Sequence, residues 1–285
     1  MNGKLLKTTA GIAAAGSLYL LMRALWLEQY FFEIRHFHIG NRGSNKVIKI
    51  IHLSDLHFRD VFFSFQRRLA RTVNALRPDL LILTGDAIDE SATTGRPLAK
   101  FLKTLNPRFP KLAVPGNHDH KSSLSFRNLI KIYDRFGVEL LVNETARVET
   151  KQGILTVTGV DDFIEGEACF SRAVKDVGYE ENHILLIHSP KHQEYILKEM
   201  EEINARRSES EQLNIQYIFA GHNHGGQVRL PAYVPVLPEH SGNYINGWYN
   251  SRPPFLYVSK GFGTSAVPFR FLARAEMAVF HYHLK

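Results

Sequence analysis

Cysteine is nearly missing from this sequence: Cys169 stands alone among 285 residues. No internal disulfide can form, and neither a disulfide scaffold nor a cysteine-based zinc site is available. There is no serine or cysteine nucleophile with an evident base, no internal repeat and no long low-complexity tract. An apolar run of the roughly 20 residues needed to span hydrocarbon is also lacking. Acidic residues are the minority, 28 against 35 Lys and Arg, for a formal charge of +7. That balance favours anionic partners without deciding among nucleic acid, a membrane surface and a phosphorylated substrate. With 44% hydrophobic residues, the chain can fill one large core. One catalytic domain with a short appendage is the simplest organisation.

The appendage is the N-terminus. Thr8 to Met22 is uncharged, follows Lys4 and Lys7, and is extended beyond Arg23 by Ala24 to Leu27. The long stem of Arg23 suits snorkelling. This predicts an N-terminal membrane helix over residues 1–30, spanning as a signal anchor or lying in the interface. A cleaved signal peptide competes, but its small-residue site, Ala13 to Ala15, would precede the most apolar residues. Residues 31–45, aromatic and polar by turns and ending in Gly40-Asn-Arg-Gly-Ser-Asn45, read as an entry strand and linker. Residues 46–285 read as the catalytic domain.

From Lys46 onward, short β-branched runs end abruptly in polar clusters and are followed by helical segments. The runs are Val47 to Leu53, Leu80 to Leu83, Leu112 to Val114, Ile184 to Ile187 and Tyr217 to Ala220; helices are predicted over Phe65 to Leu76, Phe126 to Phe136 and His192 to Arg206. Ile154 to Val160, Phe255 to Val258 and Glu276 to Leu284 add strands. Such alternation predicts an α/β protein with strands buried on both faces.

Five polar clusters follow strands: Asp55-Leu-His57, Gly85-Asp86, Gly116-Asn-His-Asp119, His188, and Gly221-His-Asn-His224. Sites in open α/β sheets form beyond the carboxyl ends of strands, so these clusters point to one site. Carboxylate, imidazole and amide oxygen together suit borderline divalent ions such as Mn²⁺, Fe²⁺ or Zn²⁺. Two-residue spacing on an extended backbone would turn Asp55 and His57 to one side, and likewise His222 and His224. Asp86 is placed to bridge two ions, and Asn117 and His188 complete the set. A metal pair that activates water explains why no protein nucleophile is needed. His118 is assigned as general acid, with Asp119 orienting its ring.

In this order, D-x-H, G-D, G-N-H-[DE], a later His and G-H-x-H, the clusters resemble the calcineurin-like metallophosphoesterases over Lys46 to Lys285. The resemblance implies a four-layer α-β-β-α sandwich. It also implies one metal held by Asp55, His57, Asp86 and His224, and another by Asp86, Asn117, His188 and His222. Gly221 to Pro231, with Gly261-Phe-Gly-Thr-Ser265, Pro268 and Arg270, is similar to a bacterial membrane-associated branch of YkuE- and YaeI-type phosphodiesterases. That branch is related to the UDP-2,3-diacylglucosamine pyrophosphatases of lipid A synthesis. Asn223 departs from the usual Thr between the last two ligands; a side chain there points away from the metals.

The resulting expectation is a hydrolase at the bacterial cytoplasmic membrane, its cytoplasmic face favoured, cleaving a phosphodiester or pyrophosphate in a lipid-linked or other phosphorylated substrate. Arg229 and Arg270 are candidate phosphate ligands, since guanidinium meets two phosphate oxygens in one plane. A nuclease or nucleotide phosphodiesterase is the alternative, although no dedicated nucleic-acid-binding domain is evident. A non-catalytic scaffold would lack ligands or His118, and neither is missing. His36, His38, His52, His281 and His283 are expected to be packed core or interface residues, and Asp89, Asp161 and Asp162 acidic loop ends without function. Oligomeric state is not legible.

Overall fold

Alternate residues of the apolar runs need two partners to face, and a second sheet on one side with helices on the other provides them. The computed structural model describes residues 2–285 apart from 232, 236 and 266, with side chains described except at 2–7, 10, 12, 13, 26 and 29. The strands are β1 (Glu33–Gly40), β2 (Val47–Leu53), β3 (Leu80–Thr84), β4 (Lys111–Val114), β5 (Val138–Leu140), β6 (Glu144–Thr150), β7 (Gly153–Gly159), β8 (His183–Leu186), β9 (Ile215–Ala220), β10 (Gly247–Tyr249), β11 (Phe255–Val258) and β12 (Glu276–His283). One sheet runs β1-β12-β2-β3-β4-β5 and the other β10-β11-β9-β8-β7-β6.

Along β2, Ile48 and Ile50 enter a core shared with Leu155, Val157, Ile184 and Leu186 of the second sheet. Ile51 and Leu53 face the other way, onto Leu69, Val73 and Phe101 of the helices Ser64–Leu76 and Arg96–Thr104. On the far side, Leu185 and Ile218 of the second sheet pack with Phe170 and with Ile196 of the helix Gln193–Ala205. Period-two alternation with both faces apolar is what strands buried between layers require. The result is a mixed α/β fold with two sheets. The helix Arg96–Thr104 was not visible in the sequence, being short and opened by Gly95-Arg-Pro97.

Two boundaries differ from the sequence reading. Residues 33–40, read as entry strand and linker, form β1, which pairs with β12 in parallel over eight positions, so the sheet begins at Glu33 and not at Lys46. The predicted N-terminal helix exists, Asn2–Met22, but no helix among the described residues is long and apolar enough to cross a membrane. Gly11, Gly16, Thr8, Thr9 and Ser17 dilute its apolar residues. Its Leu18, Tyr19, Leu20, Leu21 and Met22 are exposed. Beyond them a π-helical turn, Arg23–Leu27, leads to Glu28, which fastens the segment to the domain. The buried Glu28 carboxylate accepts bonds from Arg23 (2.7 Å) and from the Ala273 amide (2.9 Å), so Arg23 is paired within the protein and does not snorkel.

Candidate metal centre

The parallel strands β2, β3, β4, β8 and β9 end along one edge, and each chain exit carries part of the site. The exits are laced together: the Asp55 amide donates to the Gly85 carbonyl (3.1 Å), the His57 amide to that of Asp86 (3.0 Å), and the Gly221 amide to that of His188 (3.0 Å). Asp55, His57, Asp86, His222 and His224 all have φ between 43° and 70°. Left-handed backbone costs a non-glycine residue about 1 kcal/mol or more and is retained where the surroundings demand it. The side chains therefore share a side because the backbone coils back at each exit, and not because the exits remain extended, as the two-residue spacing had suggested.

All seven candidate ligands meet here. His57 Nε2 is 3.2 Å from His224 Nε2, and Asp55 Oδ1 is 3.7 Å from the latter. His188 Nε2 is 3.2 Å from both His222 Nδ1 and Asn117 Oδ1. One oxygen joins the groups: Asp86 Oδ2 lies 3.4 Å from His57 Nε2 and 3.3 Å from His188 Nε2. These separations match the spacing of ligand atoms about 2.0–2.2 Å from a common ion. Asp55 with His57 and His224, and Asp86 with His188 and His222, each form a buried group able to hold a metal.

Proton placement supports the same conclusion. His188 Nδ1 donates to the Thr84 carbonyl (2.8 Å) and His222 Nε2 to the Glu239 carbonyl (2.7 Å), so the inward nitrogen of each ring is the one that can exchange a proton for a metal ion. The carboxylates create a strongly negative interior. Burial pulls His188 down, yet Asp86 and Asp55 hold it well above the ordinary imidazole value. Burial likewise opposes Asp86, yet His188 and His57 hold it well below the usual carboxylate range. A divalent cation is stabilised by the same potential, and the nitrogen and oxygen donors fit borderline ions.

The neighbours are less as expected. The His118 ring stands edge-on to His57 with centroids 4.6 Å apart, and its Nδ1 accepts the Glu90 amide at 3.4 Å. Asp119 makes no hydrogen bond to that ring. Fully buried, Asp119 accepts the Ile88 amide (3.0 Å) and the Gly116 amide (2.9 Å), so it braces two loops of the site; burial and the nearby Asp86 push its carboxyl up to about 7. Arg270 is no phosphate ligand: wholly buried, its guanidinium donates to the carbonyls of Gly263, His224 and Ala273, beneath the metal groups. Arg229 is half-buried and donates to Asn246 Oδ1 (2.9 Å). Asn223 turns away, donating to the Ser241 and Tyr244 carbonyls, and so holds the following loop.

One residue passed over in the sequence belongs to the site. Asp89 is buried with its carboxylate 3.6 Å from His57 Nδ1, and Arg59 lies 3.3 Å from the same oxygen. Its legible signal is its place three residues after the bridging Asp86. Asp161 also has a structural partner, His120 at 2.7 Å. Beside His224 opens an apolar cavity of about 330 Å³, lined by Val228, Pro235, Pro238, Val267 and Phe269.

Residues 48–226 match the calcineurin-like phosphoesterase family. The chain is similar to the uncharacterized metallophosphoesterase YkuE of Bacillus subtilis strain 168, 30% identical over 81% of this chain and 78% of that one. It is 29% identical to YkoQ of the same organism, over 84% of each chain. A third relative, a transmembrane protein with metallophosphoesterase domain from Danio rerio, is 25% identical over 81% of this chain and 52% of its own. A match across more than half of the chain, with its paired groups of metal-binding side chains, establishes the point: this protein belongs to the calcineurin-like phosphoesterase family and is a metal-dependent phosphoester hydrolase.

Proposed function

We propose that the chain hydrolyses a phosphodiester or pyrophosphate bond in an amphipathic, lipid-linked substrate such as UDP-2,3-diacylglucosamine, using two divalent ions, Mn²⁺ foremost. The carrying observation is the single Asp86 oxygen placed 3.3 and 3.4 Å from imidazoles of two separate ligand groups, the arrangement a bridged metal pair needs. Bound there, two ions supply Lewis acidity to phosphate oxygens and bring a shared water's pKa toward neutrality. The protein does the rest. The His118 amide donates to Asp86 Oδ1 (2.9 Å), which stops the bridging carboxylate from rotating. Because His118 Nδ1 accepts a bond, its proton is assigned to Nε2, from where it can stabilise developing charge and pass to the leaving oxygen. Arg229, at the mouth of the loop that follows His224, is retained as a phosphate ligand.

The lipid part of the proposal rests on apolar surface near the chemistry. The cavity beside His224 suits a hydrocarbon portion of the substrate. Leu18 to Met22 at the end of the N-terminal helix, with Phe31, Val61 and Phe63, are exposed apolar side chains. Such a helix favours attachment at a membrane interface, proposed here as the cytoplasmic face of the bacterial membrane, without a span. Tethering raises the effective concentration of a lipid headgroup and does nothing for a soluble nucleotide.

The test compares three substrates with purified, Mn²⁺-loaded chain: UDP-2,3-diacylglucosamine in mixed micelles, short DNA, and a soluble bis-aryl phosphate, with products identified by mass spectrometry. Preferred turnover of the lipid is expected. Turnover of DNA without the lipid would transfer the protein to the nucleases, and inertness toward all three with two metals bound would overturn the proposed lipid-linked substrate.

A further inference from the structure

Four histidines, expected from the sequence to be packed core or interface residues, stand in a ladder on β1 and β12. His36 and His38 are exposed and His281 and His283 half-buried. Parallel pairing sets His38 opposite His281, and alternate residues of a strand share a face, so all four rings emerge together. His36 Nδ1 lies 3.2 Å from His281 Nε2, and His38 Nδ1 lies 3.2 Å from His283 Nε2. The His38 and His281 rings stack between the pairs at 4.7 Å. Within the catalytic centre, His57 and His224, and His188 and His222, show the same 3.2 Å separation. Two imidazoles on one tetrahedral ion with bonds of about 2.0–2.1 Å bring their nitrogens about this close.

An N–H···N hydrogen bond has the same spacing, and the second pair also has its outer nitrogen fixed. His283 Nδ1 is 3.1 Å from the Ser44 carbonyl, so that nitrogen carries the proton and Nε2 presents its lone pair toward His38. A carbonyl that fixes the outer nitrogen of a ring is the usual support of a ligating histidine. Burial and the neighbouring His38 and His36 hold His281 below the ordinary imidazole value, which keeps it neutral. The pairs lie away from the catalytic edge: His281 sits opposite Lys49 on β2, six residues before Asp55, roughly 20 Å along the strand at ~3.3 Å per residue.

We propose that the paired histidines His36 with His281 and His38 with His283 form a surface site for a borderline divalent ion, Zn²⁺ or Cu²⁺, separate from the catalytic centre. No carboxylate takes part in either pair, so the donor set is imidazole alone and selects these ions over Mn²⁺ or Mg²⁺. Each pair joins the edge strand β1 to β12. An ion held there clamps to the sheet the strand that carries the N-terminal helix.

The experiment dialyses full-length chain, its catalytic centre loaded with excess Mn²⁺, against micromolar Zn²⁺, and counts zinc per chain by mass spectrometry. The same is done for a His36→Gln/His283→Gln variant, which leaves every catalytic ligand in place. Wild type is expected to hold one or two zinc ions more than the variant, and zinc is expected to raise the Tm of wild type alone, while both hydrolyse a bis-aryl phosphate equally with Mn²⁺. Equal zinc content in the two proteins overturns the site. Should the double variant fail to fold, the single exposed substitution His36→Gln breaks one pair: a lower zinc count than wild type supports the site, and an unchanged count overturns it.

Discussion

Gly116 is the residue through which a single methyl group reaches the bridging ligand. Its φ of −117° and ψ of 175° are ordinary extended values, so Gly116→Ala imposes no backbone strain and its effect is steric alone. A Cβ built there stands 2.5 Å from the Asp86 amide nitrogen and 2.9 Å from its carboxylate carbon, and closer still to Oδ1. Comfortable contacts are about 3.5 Å or more, so Asp86 must retreat by roughly 0.5–1 Å. That moves the one oxygen shared by both groups and pulls Oδ1 from the His118 amide that holds it at 2.9 Å. A displacement of this size costs about 10²-fold in rate, and the second metal weakens with it. The assay is metal content beside kcat for a bis-aryl phosphate over a Mn²⁺ series. Gly137→Ala is the control: nothing lies within 4 Å of its added Cβ, but its φ of +64° is left-handed, so stability falls by about 1 kcal/mol with activity intact. Wild-type rate and two tightly bound metals in Gly116→Ala would refute the account of Asp86 as a positionally exact bridge.

Other consequences follow from the same contacts. His118→Gln should keep its metals yet lose roughly 10²–10⁴-fold in kcat on a diester with a poor leaving group and much less on a nitrophenyl ester, measured by paired kinetics and metal analysis; equal losses on both would place His118 elsewhere in the reaction. Arg270→Met should lower stability by about 3 kcal/mol or more in urea melts, because three buried carbonyls lose their donor; retained stability with selectively raised KM would restore it as a phosphate ligand. His183, outside the centre and bonded to Thr158 at 2.8 Å, is lowered to about 4 by burial. A histidine with a depressed folded value contributes fully above its unfolded pKa of about 6.5 and loses that contribution as pH falls from there toward 4, about 3 kcal/mol in all and about 2 by pH 5. Urea midpoints at pH 7 and pH 5 should therefore converge in His183→Gln relative to wild type, and an unchanged difference would count against the assignment.

Much of the catalytic machinery was legible because ligands at strand exits are short and fixed in order. Asp55-Leu-His57, Asp86, Asn117, His188 and His222-Asn-His224 need only the strands before them to meet at one edge. Apolar runs such as Val47 to Leu53 declare those strands by being buried on both faces. What stayed hidden depends on neighbours remote in sequence. Arg270 looks like a phosphate ligand until its guanidinium is seen spent on carbonyls. Asp119, adjacent to His118, bonds Ile88 and Gly116 instead. Asp89 looks like a loop end until His57 is seen beside it.

The sequence by itself determined the ligand types, their order along the chain and hence the chemistry, since these are local properties of side chains and of the runs that precede them. Tertiary structure alone decided how those ligands face one another, through left-handed turns that no periodicity announces. It decided that the entry strand, residues 33–40, belongs to the sheet of the domain, because β12 offers its hydrogen bonds from over two hundred residues away. By the same pairing it aligned four histidines that the chain keeps in two distant couples. Pairings of this kind close long loops, and their partners are set by the packing of whole layers, which a one-dimensional pattern does not carry.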